Sequence, residues 1–262
     1  MPNLDAAGNR RPHPARKAKT PRLGAALERA AARQLASSVS RQEISSPADS
    51  ESTLLGSRPR SEFHRGRVLP RSFYARETEI VAREMLGSVL ECETPQGVAS
   101  GIIVETEAYL GEHDLACHAV VGRTPRTEAL YGPAGTSYVY FIYGMYWCFN
   151  AVTRVEGLPS AVLVRALEPL DGIAPMHKRR PRIKNAIDLT NGPGKLCTAL
   201  GIIGSMSGKS LQRKPLVIRE GEPVADDKVD VTTRIGITRS ADWPLRWLVR
   251  GNRFVSRGKV SA

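Results

Sequence analysis

Three short stretches of this sequence hold residues able to do chemistry. The first is Val104-Glu105-Thr106-Glu107-Ala108-Tyr109, where two carboxylates are separated by a single residue. In an extended strand that spacing puts Glu105 and Glu107 on the same face. A carboxylate there can take a proton as a general base or stabilise a developing cation. A solvated carboxylate at a strand exit is the plainer alternative. The second stretch is His113-Asp114 followed by His118. It has no H-E-x-x-H, no cysteine pair and no carboxylate at ligand spacing, so no metal site is expected and an ordinary histidine is the default. The third runs from Tyr138 to Asn150 and holds seven of the chain's 15 aromatic residues. Tyr138 and Tyr140 point to one side of a strand, Val139 and Phe141 to the other. Core packing absorbs some of these rings. Tyrosines on the less apolar face of a basic protein are also planes on which nucleobases stack, each for roughly 1–3 kcal/mol.

The elements that must position these groups are mostly strands. Ser88–Glu93 and Val98–Glu107 read as a pair around the Pro95-Gln96-Gly97 turn. Val98, Ser100, Ile102 and Val104 form one face of the second strand, with Ala99, Gly101, Ile103 and Glu105 on the other. Ser137–Tyr143, Cys148–Thr153 and Ala161–Ala166 are rich in Val, Ile, Tyr and Phe, which suits strands. Their connections are short, which favours hairpins over crossover helices. Gly144 permits a tight turn that projects Tyr143 outward. Glu77–Leu86 reads as a helix stopped by Gly87. Gly192-Pro193-Gly194-Lys195 breaks the chain and starts a helix through Leu200, without the spacing of a phosphate-binding P-loop. The fold class expected is α+β: a single globular domain with a curved, largely antiparallel sheet and peripheral helices.

Composition bounds the partners. The 262 residues carry 38 Lys+Arg against 26 Asp+Glu, a net charge of +12, which points to a polyanion. Residues 1–67 hold 13 of those cations and 6 of the anions, with Phe63 as their only aromatic. Such a segment buries too little apolar surface to offset ordering. It reads as a disordered basic tail with transient helix around Leu23–Leu35, preceding a domain at 68–262. Its role is either extra attraction to nucleic acid or none. No run of 18 apolar residues exists, so no membrane span is expected. The first twenty residues lack a secretory apolar core. Four cysteines without a C-x-x-C pair suit a reducing compartment. That is the cytoplasm and nucleoid of a bacterium, or the nucleus or an organelle of a eukaryote.

Taken in order, Gly101–Tyr109, His118, Tyr138–Asn150 and Ala161–Pro169 closely resemble the alkyladenine (3-methyladenine) DNA glycosylases of the single-domain, non-helix-hairpin-helix type. Asn191–Cys197 and Pro244–Gly251 extend the resemblance, which covers about Leu69 to Ser256. It implies excision of damaged purines from double-stranded DNA by hydrolysis of the N-glycosidic bond, with the nucleotide first flipped out of the helix. By motif position Glu107 is the general base that activates water. Arg165 holds that water and Glu107, and the backbone near Ile235 is a further acceptor. Tyr109 covers one face of the flipped base, with His118 and Tyr140 on the other. An electron-poor alkylated purine gains a charge–quadrupole term on such rings. Tyr143 is the wedge that fills the vacated space in the DNA. Asn150 and Leu163 reject the exocyclic amine of normal guanine. Arg123, Arg126 and Lys195 are phosphate contacts or plain basic surface. No lysine stands at the position of Glu107, so water alone is the expected nucleophile, and no cofactor or metal is implied. The resemblance implies a monomer. A non-catalytic lesion-binding protein of the same fold is the alternative.

Overall fold

The computed structural model describes residues 66–258. Most of the basic tail, including the expected helix around Leu23–Leu35, lies outside the described residues. The first described residues already run beside a strand: the Arg67 carbonyl accepts from the Glu220 amide at 2.8 Å, and Val68 bridges to Arg219.

Eight strands form one sheet in which every pairing is antiparallel. They are β1 (Val89–Thr94), β2 (Gly97–Tyr109), β3 (Ser137–Ile142), β4 (Tyr146–Thr153), β5 (Ser160–Asp171), β6 (Leu216–Arg219), β7 (Val229–Thr232) and β8 (Arg246–Val249). The order is β3-β4-β5-β2-β1-β6, and the sheet does not close on itself. Off that path β8 pairs with both β7 and β2. Among the described residues five α-helices accompany it: α1 (Arg71–Tyr74), α2 (Thr78–Glu84), α3 (Ile173–Arg179), α4 (Ile187–Thr190) and α5 (Pro193–Leu200). The α+β class and the hairpin connections are as the sequence implies. None of these helices is long and apolar enough to cross a membrane.

Local chemistry sets the element ends. In α5, Pro193 occupies the first turn, where its missing N–H costs nothing. Gly201 then takes φ 81° and its amide reaches the Cys197 carbonyl, which stops the helix where the sequence places its end. α2 ends at Glu84, two residues earlier than expected. Gly87 still makes the reversal at φ 86°, and a Cβ there would lie 1.9 Å from the Glu222 carbonyl oxygen.

β2 is the centre of the sheet. β5 runs along one edge from Ser100 to Tyr109, while β1 and β8 share the other. Both of its faces are buried from Ala99 to Ala108, so the apolar–polar alternation does not mark an exposed side. α2 seals one face, where the Thr106 hydroxyl donates to the Ala82 carbonyl at 2.9 Å.

The β2–β5 ladder is irregular near its start, where Leu170 is extra on β5 between the Ser100–Asp171 and Gly101–Pro169 pairs, and again in its middle. Ile103 faces Leu167 and Glu105 faces Ala166, which leaves Val104 as an extra residue on β2. Thr106 then faces Val164, which leaves Arg165 as an extra residue on β5. Paired bulges of this kind re-aim side chains locally. The main apolar core lies around Met85, Leu90, Ile103, Phe149, Leu167 and Leu196. A smaller cluster of Cys117, Leu130, Tyr131, Tyr138 and Ala161 lies against Tyr109 and Tyr140.

The close approach of β2 and β5 yields a stability prediction. A Cβ on Gly101 would lie 2.9 Å from the Glu168 carbonyl oxygen and 2.9 Å from Leu167 Cβ. Gly101→Ala should therefore destabilise the protein by about 1–3 kcal/mol, the usual range for overpacking. A denaturant midpoint lowered at constant slope is the expected result.

Candidate active site

A cavity of about 470 Å³ opens where β2, β3, β4 and β5 meet the start of α5 and the loop after β7. Tyr109, His118, Tyr140, Asn150, Leu163, Arg165, Lys195 and Ile235 all line it, as does Tyr143 at its rim. These positions, proposed one by one from sequence, are thus brought together. Glu107 is fully buried and is not part of the wall. Its hydrogen-bond donors are.

The two carboxylates differ in how far they are satisfied. Glu105 Oε1 accepts from Arg165 Nε (3.0 Å), Arg246 Nε (2.7 Å) and the Ser256 hydroxyl (2.8 Å), and its Oε2 accepts from the Ser256 amide (2.7 Å). Glu105 thus has four donors, three of them crowded on Oε1 and one on Oε2. Glu107 Oε1 takes the Ile235 amide at 2.8 Å and lies 3.2 Å from Arg165 Nη1. Its Oε2 takes only the Tyr109 hydroxyl at 2.9 Å among the described residues. One acceptor site on Glu107 remains. The contact from residue 235 that the structure shows is therefore its N–H, donated to Glu107.

Arg165 joins both carboxylates. Burial alone would lower the pKa of its guanidinium, but Glu107 and then Glu105 outweigh that, and the net shift is upward. Its position follows from the bulge. A regular ladder would set Arg165 directly opposite Glu105, whereas the displaced register lets Nε serve Glu105 while Nη1 serves Glu107.

The rings form a wall. His118 and Tyr140 meet edge to face at 4.4 Å, and Tyr138 lies 5.3 Å from Tyr140. His118 Nδ1 is 2.9 Å from the Tyr138 hydroxyl. Burial, helped by the nearby Arg126 charge, pulls the His118 pKa down to about 4. Burial and then Glu107 push Tyr109 well above its ordinary value, so its phenol stays a donor. Asn150 and Leu163 face each other across β4 and β5, and Asn150 Nδ2 donates to the Tyr138 carbonyl at 3.2 Å.

Tyr143 stands at the tip of the β3–β4 hairpin and is 78% exposed. It has φ 53° and Gly144 has φ 67°, with the Met145 amide bonded to the Ile142 carbonyl. Positive φ at both central residues defines a type I′ turn. A left-handed conformation is uncommon for an aromatic residue and stores strain.

The three basic candidates differ. Lys195 lines the cavity and donates to Asn191 Oδ1 at 2.7 Å; burial lowers its pKa. Arg126 lies 5.8 Å from the Tyr140 ring centroid. Arg123 is held bidentate by Glu128, so it must leave that carboxylate to contact a phosphate. Among the described residues no group of three metal-ligating side chains could hold an ion.

Sequence reasoning missed several participants. Arg246 and Ser256 complete the shell of Glu105, and Asp114 with Arg234 forms a fully buried ion pair behind Tyr109. Isolated residues on a short strand and in loops give no pattern that could have found them. Asp114 was visible only as a neighbour of His113.

The lowered pKa of His118 sets a pH dependence. The unfolded chain binds a proton near the ordinary pKa of about 6.5 and the native state only near 4. Below about pH 6.5 the unfolded state therefore binds more protons, and stability falls as the pH drops towards 4. An NMR titration should find the His118 ring neutral down to about pH 5. A midpoint at or above 6 would contradict the burial described.

A family profile described as Methylpurine-DNA glycosylase matches residues 72–253. A protein of Myxococcus xanthus is 48% identical over 193 residues, which is 72% of this chain and 94% of that protein. A relative from Carboxydothermus hydrogenoformans is 46% identical, and one from Methanoculleus marisnigri 45%; each match spans 72% of this chain and 99% of the relative. All three carry the name "Putative 3-methyladenine DNA glycosylase". With a matching profile over more than half its length and relatives this similar, the chain belongs to the methylpurine-DNA glycosylase family.

Proposed function

We propose that this DNA glycosylase excises alkylated purines by a water activated at Glu107, after the damaged nucleotide has swung out of the duplex into the cavity. The observation that carries this reading is the contrast between two buried carboxylates. All three residues that hold Glu107 belong to the cavity wall, whereas of the residues that hold Glu105 only Arg165 does. A water there would give a proton to Glu107 while its oxygen bonds to C1′ of the sugar. The C1′–N bond breaks with its electron pair leaving on the purine. Where the purine is a cation alkylated on a ring nitrogen, that pair neutralises it, so the leaving group needs no separate acid. The product is an abasic site in an intact strand.

The wall supports selectivity by charge. Tyr109, Tyr140 and His118 offer rings to the base, and a neutral His118 does not repel a cationic purine. The Asn150–Leu163 pair supports the reading that normal guanine is rejected at that end. Tyr143, held outward on its turn, supports the role of a wedge that takes the place of the extruded base. Lys195 and Arg126 lie where phosphates flanking the flipped nucleotide would pass. The enzyme in this reading works as a monomer, in the compartment that holds the DNA.

Glu107→Gln should cut the single-turnover release of base from a duplex with one 3-methyladenine or ethenoadenine by at least about 100-fold, the range of a general base. Lesion binding should stay within about tenfold. Excision within threefold of the wild type would sink the assignment. Glu105→Gln is no neutral control, because Glu105 holds Arg165.

Tyr143→Ala should diminish the fluorescence change of an ethenoadenine lesion on binding duplex DNA, since nothing then holds the stack open. An undiminished change would return Tyr143 to a purely structural turn residue.

A further inference from the structure

We propose that the buried Asp114–Arg234 ion pair is the positioning unit of this site, setting the Glu107 carboxylate and the Tyr109 ring together. The inference rests on the glycosylase reading above and concerns residues to which that reading gives no part.

Both side chains are fully buried. The Arg234 guanidinium reaches both Asp114 oxygens, at 2.5 and 2.9 Å. It also donates to the Ala108 carbonyl at 3.0 Å and the Ser240 carbonyl at 3.1 Å. Ala108 is the residue between Glu107 and Tyr109. Arg234 therefore grips the backbone of β2 at the point from which both functional side chains leave. Its Cζ also lies 4.7 Å from the centroid of the Tyr109 ring. The next residue, Ile235, gives its amide to Glu107 at 2.8 Å. One side chain and the following N–H thus fix the ring, the strand and the carboxylate.

Asp114 extends the same hold. It accepts from the amides of Leu110 (3.1 Å) and Ala116 (3.0 Å), which ties down the loop leading to the cavity residues Ala116, Cys117 and His118. Three separate segments, 108–110, 114–118 and 234–240, converge on this pair. A buried ion pair is a poor source of net stability, since apolar residues of like volume do as well. What it supplies here is fixed direction, because a planar guanidinium fork accepts partners only at set angles. Arg234 Nε is left without a hydrogen-bond partner, so the placement does not maximise hydrogen bonding.

The charged and titratable groups facing Glu107 come from every neighbouring element: Tyr109 and Glu105 on β2, Arg165 on β5, Tyr140 on β3, Cys148 on β4 and Arg234. Arg165 holds Glu107 from one side, and the segment 234–235 holds it from another. Loss of the second hold should leave the carboxylate present but misdirected.

The test uses the full chain with Arg234→Lys and Asp114→Asn. Lysine keeps the charge but cannot span Asp114 and two carbonyls at once. Single-turnover rate constants are read at saturating enzyme on a lesion duplex, beside the Kd for that duplex and the melting temperature. A merely structural defect lowers the active fraction and the melting temperature but leaves the rate constant of the folded molecules alone. Leu90→Ala, in the core of β1 and outside the cavity wall, sets that baseline. We expect the rate constant to fall about tenfold or more in Arg234→Lys and Asp114→Asn, with Kd changed less than threefold, and to hold in Leu90→Ala. Should Asp114→Asn fail to fold, the milder Arg234→Lys carries the test. Rate constants within twofold of the wild type in a folded variant overturn the proposal. A wild-type protein that releases no base refutes the glycosylase reading and this inference with it, a result distinct from active variants.

Discussion

Two negative charges in the middle of a sheet are the condition to which this structure answers. Taking a carboxylate out of water costs several kcal/mol even after the surroundings relax, and two on one face also repel each other. Glu105 and Glu107 are tolerated because β2 has strands on both edges, and each edge delivers a cation: Arg165 from β5 and Arg246 from β8. The C-terminal segment adds two donors from Ser256. A strand with one free edge could not collect these partners. The central place of β2 and the survival of its charges are thus a single requirement.

Above this charged floor the side of the cavity is aromatic and apolar, and its lining cations are Arg165 at the floor and Lys195 at the start of α5. The same burial that suppresses protonation of His118 keeps the phenols of Tyr109 and Tyr140 protonated. Fixed charge lies underneath, polarisable rings line the side, and Lys195 and Arg126 lie towards the solvent. This separation of roles depends on the sheet, since rings from β2, β3 and the 118 turn come together only through strand pairing.

Much of the frame was legible in the sequence because its determinants are local. Short connections between β-branched and aromatic runs read correctly as hairpins, and the Pro193 start and Gly201 end bounded α5 within the chain itself. The face of the Tyr138–Phe141 strand was also readable, since alternation is intrinsic to an extended backbone. Which glutamate to propose as the base was not legible from alternation: both share a face. The motif resemblance favoured Glu107, and the discriminating contacts come from residues 235, 246 and 256, more than a hundred positions away. Asp114 and Arg234 were invisible for the same reason. The burial of both faces of β2 has no local signal, since Ser100 and Thr106 are covered only by elements distant in sequence.

The two extra residues in the middle of the β2–β5 ladder, Val104 and Arg165, have a consequence for how this sequence can change. Each alone would offset the pairing by one position, yet together they cancel, and Glu107 faces Leu163 in the same alignment that pairs Ile103 with Leu167. Deleting either residue leaves the other uncompensated and turns every side chain beyond it to the opposite surface of the sheet. Like two opposite frameshifts in a reading frame, they can be lost only as a pair. Losing both would restore a regular ladder but remove the arginine that spans the carboxylates. This segment can therefore drift in residue type, while its length is locked.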